Sequence, residues 1–205
     1  MKTRESGMPD ESLWESFFSP DTMLRKLGLR PDSGDVVDFG CGYGTFAIPA
    51  ARIVRSTVHA LDVDPEMITV TGEHARAEGL SNVRATLRDF IAAGSGLPPS
   101  SADYVMLFNI LHCEQPDVLI REASRVLKVG GQLAIIHWRP DPTTPRGPSL
   151  AIRPQPERCR EWAEQAGFER AISGILDLPP YHYGLLLTNT KRLSAPSPDG
   201  RGMRR

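Results

Sequence analysis

The sequence predicts an α/β domain: a seven-stranded, mostly parallel sheet with helices on both faces and an antiparallel last strand. Three observations carry this expectation. Short β-branched runs alternate with segments of helical period from residue 35 onward. Glycines and Asp-Pro pairs stand where those helical segments start and stop. The 205 residues, 40% hydrophobic and 24% charged, have the composition of one globular unit long enough to bury a sizeable core.

Taken in order, Leu13, Trp14, Phe17 and Phe18 gather aromatic side chains ahead of a helix expected from Asp21 to Leu27. Residues 1–31 read as a helical cap on a domain spanning 32–190. Strands are expected at Asp35–Phe39, Thr57–Asp62, Asn82–Leu87, Ala102–Asn109, Gly131–Trp138, Phe168–Leu176 and Tyr181–Thr188, the first five buried. Asp64-Pro65-Glu66 sets an N-cap acceptor before proline at the first helical position, so a helix runs to Glu78 and stops at Gly79. Pro116-Asp117 opens another helix, in which Leu119, Ile120, Ala123, Val126 and Leu127 recur at helical spacing and which Gly130-Gly131 ends. Asp177-Leu178-Pro179-Pro180 is too short for a crossover helix, which makes the last two strands antiparallel neighbours. The proline-rich stretch from His137 to Pro156 carries Arg139, Arg146 and Arg153 and has the character of a lid. Residues 191–205 are poor in apolar side chains and aperiodic, and read as a disordered tail.

Composition narrows the function. A net charge of −1 with scattered arginines gathers no polyanion, which argues against a nucleic-acid partner. Cys41, Cys113 and Cys159 form no CxxC pair, so no metal site is expected, and they suit a reducing compartment. Met1 to Glu15 has no apolar core of a leader, and no stretch reaches the ~20 apolar residues of a membrane helix. A cytoplasmic protein without a membrane partner is the expectation.

The strongest chemical signal is Val36-Val37-Asp38-Phe39-Gly40-Cys41-Gly42-Tyr43-Gly44, an apolar strand entering a glycine turn before the helical segment Thr45–Val54. Glycines there permit positive φ and bring backbone N–H donors close to a ligand. A dinucleotide fingerprint wants G-x-G-x-x-G, yet here the third glycine comes one residue early. Next, Asp62 ends the second strand, where a carboxylate can accept both hydroxyls of a ribose, while Asp64 is better explained as the helix cap. Arg88-Asp89-Phe90 follows the third strand.

The D-x-G-x-G-x-G run resembles motif I of the class I S-adenosylmethionine-dependent methyltransferases. The likeness continues through Asp62, Asp89, Ser101–Val105 and Arg125–Leu133, roughly residues 32 to 138 in all, with Val129 where relatives usually place proline. It is similar in particular to the ubiquinone/menaquinone-biosynthesis-like branch of small-molecule methyltransferases. The resemblance implies a Rossmann-like sheet and S-adenosylmethionine as cofactor. It further implies that the turn residues Gly40, Cys41, Gly42 and Gly44 hold the methionine portion while Asp38 orients its amino group. Asp62 with Val63 would meet the ribose, Asp89 the adenine amino group and Phe90 the ring face, and Asn109 would complete the cofactor set.

Methyl transfer from a sulfonium is an in-line displacement that depends mainly on holding two atoms at attack distance, with a base where the acceptor must lose a proton. Ligands of open α/β sheets sit beyond the carboxyl ends of the strands. His137 is the candidate base on that rim, and His112, Trp138 and Arg146 are candidates for the acceptor side. Trp14, Phe17 and Phe18 pack as core or close over an apolar acceptor. The expected partner is a small-molecule methyl acceptor and the expected state a monomer or homodimer. Two other readings stay open at this point: an NAD-dependent oxidoreductase, and a non-catalytic S-adenosylmethionine-binding regulatory or scaffold protein.

Overall fold

The computed structural model describes residues 9–141, 144, 146–170 and 174–190; the expected tail at 191–205 lies outside them. In chain order the elements are α1 (Glu11–Glu15), α2 (Pro20–Lys26), β1 (Val36–Phe39), α3 (Ala47–Ile53), β2 (Val58–Asp62), α4 (Pro65–Ala77), β3 (Val83–Leu87), α5 (Phe90–Ala93), β4 (Ala102–Phe108), α6 (Pro116–Val126), β5 (Leu127–Trp138), α7 (Pro156–Gln165), β6 (Phe168–Arg170), β7 (Leu176–Leu178) and β8 (His182–Asn189). A short 3₁₀ turn, Leu150–Ile152, lies within the proline-rich stretch.

The sheet runs β3-β2-β1-β4-β5-β8-β6, with β7 paired to the remaining part of β8. Its first five strands are parallel, and β8 runs antiparallel to β5 on one side and to β6 and β7 on the other. Alternation along each central strand builds two cores. Val36, Tyr104, Met106, Ala134 and Ile136 face α2 and α3, whereas Val37, Phe39, Val105, Leu107 and Leu133 face α6 and α7. On α6 the apolar stripe Leu119, Ile120, Ala123 and Val126 is fully buried. Each of its large members contributes about 1.5–3 kcal/mol by leaving water. Asp64 caps α4 by accepting from the Glu66 N–H at 2.9 Å, with Pro65 in the first turn, as its sequence predicts.

Four expectations are corrected by the structure. The sheet has eight strands rather than seven, because the expected strand Phe168–Leu176 is two short ones, β6 and β7. The third strand is not buried, since β3 forms the sheet edge and Leu87 is 54% exposed. Gly130-Gly131 does not end the helix before the fifth strand. Instead α6 stops at Val126, the Asn189 side chain donates to the carbonyls of Ser124, Leu127 and Lys128, and the glycines loop out where β5 shifts register against β4. The glycine turn is longer than expected, and α3 begins at Ala47 rather than Thr45.

The amino-terminal segment belongs to the same packing. Phe17, Phe18, Met23, Leu24 and Leu27 all enter the core that also holds Trp138 and Leu178. Phe18 stands 5.3 Å from Phe46 and 4.7 Å from the ring of His182, and Phe17 stands 5.4 Å from Trp138. No helix among the described residues is long and apolar enough to cross a membrane.

Candidate active site

One cavity of about 500 Å³ opens at the carboxyl ends of the parallel strands, beside the point where the chain order reverses between β1 and β4. Its inner end is built by local sequence. After Phe39 the backbone takes positive φ at Gly40, Gly42 and Gly44, at 78°, 54° and 85°. The Gly40 and Cys41 N–H groups donate to the Leu61 carbonyl at 2.8 and 3.0 Å, and Gly42 N–H donates to Asp62 Oδ2 at 2.9 Å. A Cβ on Gly40 would stand 2.8 Å from Ile110 Cδ1, so a side chain there would collide with the cavity wall. Gly44 does not line the cavity; a Cβ there would press on Ile48 and Thr71.

Two acids face each other at this end. Asp38 is 2% exposed, and burial, reinforced by the neighbouring Asp62 charge, raises its carboxyl to about 8. Asp62 accepts from Gly42 N–H and, through Oδ1, from Asp64 N–H at 3.0 Å. Burial raises its pKa and those backbone donors oppose the rise. Beyond them Val63, Asp89, Phe90 and Ile91 continue the wall, with Asp89 also capping α5 through Ala92 N–H at 2.9 Å. Asn109 lines the junction toward the outer end. It sits at φ 54° without being glycine, and both its amide atoms and the Thr45 hydroxyl are buried with no hydrogen-bond partner in the described protein.

The outer end is assembled from distant segments. Trp14, Phe46, Phe108 and Trp138 supply aromatic walls, and His112, Cys113 and Glu114 come from the turn after β4. Arg146, Gly147, Pro148 and Ile152 of the proline-rich stretch close over the top. That stretch is held by Arg153, 8% exposed, which donates to the carbonyls of Pro148 at 2.9 Å and Arg139 at 3.0 Å and lies 5.6 Å over the Trp138 ring. Arg139 instead pairs with Asp177 and bonds the His182 carbonyl, so Arg146 alone of the three arginines lines the cavity. The amino-terminal segment is fastened by Tyr43 Oη donating to the Pro9 carbonyl at 2.9 Å and by His74 within 3.5 Å of Glu11.

Among the residues singled out by sequence, Asp38, Gly40, Cys41, Gly42, Asp62, Val63, Asp89, Phe90, Asn109, His112, Trp138 and Arg146 line this one cavity. His137 does not. It is fully buried one layer behind, its Nε2 3.4 Å from His112 Nδ1, and burial, with His112 as the next cause, holds its pKa well below the ordinary histidine value. Sequence reasoning missed Thr45, Phe46, Phe108 and Ile110. Each is one or two residues from a recognised motif, and adjacency to Gly44 or Asn109 was the only signal.

The donor set fits a cationic adenosyl ligand. Both carboxyls ionised at the buried inner end would repel each other, so Asp38 keeps a proton in the empty cavity, and Arg146 is the only lysine or arginine lining the cavity among the described residues. A bound ammonium and sulfonium would relieve that repulsion, and the orphaned Asn109 and Thr45 atoms offer further polar contacts.

Fold and site thus define an α/β protein with a glycine turn and two buried acids at the inner end of a cavity beyond its strand ends. Residues 36–131 match the family model described as a methyltransferase domain. The chain is 29% identical over 207 residues to aklanonic acid methyltransferase DauC of a Streptomyces species, covering 92% of each chain. It is 31% identical over 170 residues to the ubiquinone/menaquinone biosynthesis C-methyltransferase UbiE of Rhizobium rhizogenes, covering 80% of this chain and 61% of that one. The crystal structure of a SAM-dependent methyltransferase from Aquifex aeolicus superposes with a TM-score of 0.75 at 25% identity, covering 87% and 93% of the two chains. Residues 36–131 carry a methyltransferase domain, and the protein is an enzyme with S-adenosylmethionine as its cofactor. The oxidoreductase and scaffold readings are not favoured.

Proposed function

We propose that the acceptor is a small molecule whose flat, largely apolar body lies between Trp14, Phe46, Phe108 and Trp138. The observation that carries this reading is the cavity of about 500 Å³ at the strand ends, acidic at its inner end, aromatic at its outer end and roofed by the Arg153-held stretch. A volume of that size, shared with a cofactor, leaves room for a compact acceptor. Both named relatives are small-molecule methyltransferases by their names.

In this reading the inner residues take the roles that the family resemblance implies for them. Asp38 and the Gly40–Gly42 backbone hold the amino-acid end, Asp62 with Val63 the ribose, Asp89 and Phe90 the adenine, and Asn109 the junction with the acceptor. When bound, the cofactor supplies a methyl group activated by its sulfonium. The protein's part is to place the acceptor atom in line and keep water out. Residues 1–31 act in this reading as a cap on the domain at 32–190, with Trp14 reaching the cavity. Three unpaired thiols suit a reducing cytoplasm, where the enzyme works as a monomer or homodimer.

Calorimetric titration with S-adenosylmethionine, S-adenosylhomocysteine and NAD tests the cofactor side. Binding of both adenosyl compounds and not NAD is expected. A screen of compact aromatic metabolites against peptides tests the acceptor side, and turnover confined to peptides would overturn the small-molecule reading.

A further inference from the structure

The glycine turn of the inner end carries one long side chain, and both ends of that residue lead to the amino-terminal segment. Tyr43 stands between Gly42 and Gly44, which both take positive φ. Its hydroxyl donates to the Pro9 carbonyl at 2.9 Å. Its own carbonyl, which can only accept, takes the Nδ1–H of His74 at 3.0 Å, and His74 Nε2 lies 3.5 Å from Glu11 Oε1. From Pro9 to Trp14 the chain is a single capped turn: Asp10 Oδ1 accepts from Ser12 N–H at 3.1 Å, and Trp14 N–H donates to the Asp10 carbonyl at 2.9 Å. Pro9 and Trp14 both line the cavity. Yet α1 has five residues and buries none of them, so helix formation and core burial do little to fix it. Packing of the Trp14 ring on Phe18 at 4.8 Å is apolar and weakly directional, and the Glu11–His74 contact is exposed and contributes little. The Tyr43 hydroxyl bond is the directional, part-buried fastening of the segment.

We propose that Tyr43 is a positioning residue of the acceptor site: its hydroxyl fastens residues 9–14 as a strap and so holds the Trp14 ring against the acceptor, from a turn whose backbone serves the cofactor. This rests on the small-molecule methyltransferase reading above. Tying the strap to the turn fixes the acceptor wall relative to the cofactor rather than to the sheet, and in-line transfer depends on that relative placement.

The test uses the full chain with fluorotryptophan at Trp14, Trp138 and Trp162 and S-adenosylhomocysteine bound. Tyr43→Phe removes the hydroxyl and keeps the ring and the backbone. Its fluorine spectrum should show the Trp14 signal, assigned with Trp14→Phe, shifted or broadened and the Trp162 signal unmoved, while the Kd for S-adenosylhomocysteine stays within about twofold of wild type. An unmoved Trp14 signal overturns the proposal, and this readout decides even when no acceptor turns over. Movement of all the tryptophan signals together, the mark of a generally loosened fold, also overturns it. Failure of the wild-type chain to bind S-adenosylhomocysteine would instead overturn the methyltransferase reading. With S-adenosylmethionine at saturation and an acceptor from the aromatic-metabolite screen, Tyr43→Phe is expected to raise the acceptor KM about fivefold and to leave kcat within about twofold. In a Trp14→Ala background the same substitution should change KM by less than about twofold, because the hydroxyl then has no ring to place. An equal rise in KM in both backgrounds means that Tyr43 does not act through Trp14 and overturns the proposal.

Discussion

The two ends of the cavity are made differently. The inner end uses backbone and short side chains from consecutive stretches at the ends of β1, β2 and β3, whereas the outer end collects Trp14, His112, Trp138 and Arg146 from four separate parts of the chain. A ligand held by the first is read by turn geometry and two acids, and a ligand held by the second by packing. Changes at the inner end should therefore move cofactor affinity and changes at the outer end acceptor affinity, with little crossing between them.

The largest expected effect is at Asp62. Asp62→Ala removes the acceptor for the Gly42 and Asp64 N–H groups as well as the proposed ribose contact. It should weaken S-adenosylhomocysteine binding about 100-fold by calorimetry, each lost charged hydrogen bond being worth about 1.5–3 kcal/mol. Equal affinities in wild type and variant would break the comparison at its inner end.

Asp38 predicts a pH dependence of fixed sign. With its carboxyl raised to about 8, the empty protein holds a proton that the unfolded chain, near 3.8, has already lost. Stability of the ligand-free protein therefore falls as pH rises from about 4 to about 8, and Asp38→Asn flattens that slope in denaturant titrations. In the proposed binding mode the cofactor meets the Asp38 carboxylate, so affinity should rise more than tenfold between about pH 6 and 8 and stop rising in the variant. A pH-independent Kd would remove Asp38 from the binding set.

Arg153→Gln sharpens the contrast at the outer end. Losing the bonds to the carbonyls of Arg139 and Pro148 and the cation over Trp138 loosens the roof. The acceptor KM should rise several-fold, about 1 kcal/mol, while the Kd for S-adenosylhomocysteine stays put. The smallest effect belongs to Glu11→Gln, which weakens the exposed contact with His74. A change of less than twofold in acceptor KM is expected, because exposed ion pairs contribute little.

Much of this was legible residue by residue. Asp64 reads as a cap and is one, and the glycines after Phe39 turn with positive φ where the strand-turn-helix pattern puts them. The end of α6 was misread because its stop signal is not local: Asn189, 62 residues beyond Leu127, takes the carbonyls that a glycine turn would otherwise leave to water. His137 was placed on the rim by strand position, but alternation along β5 turns it away from Trp138 and puts it behind His112.

What the sequence alone determined was the succession of βαβ units and the inner end of the site, since hydrophobic period, caps and glycine turns act between near neighbours. Only the tertiary structure decided the outer end. Inserting β8 between β5 and β6 sets His182 against Trp138, the amino-terminal aromatics cover both, and Arg153 folds the roof over them. Those contacts join residues far apart in the chain, and no local pattern encodes which distant side chains the sheet order brings together.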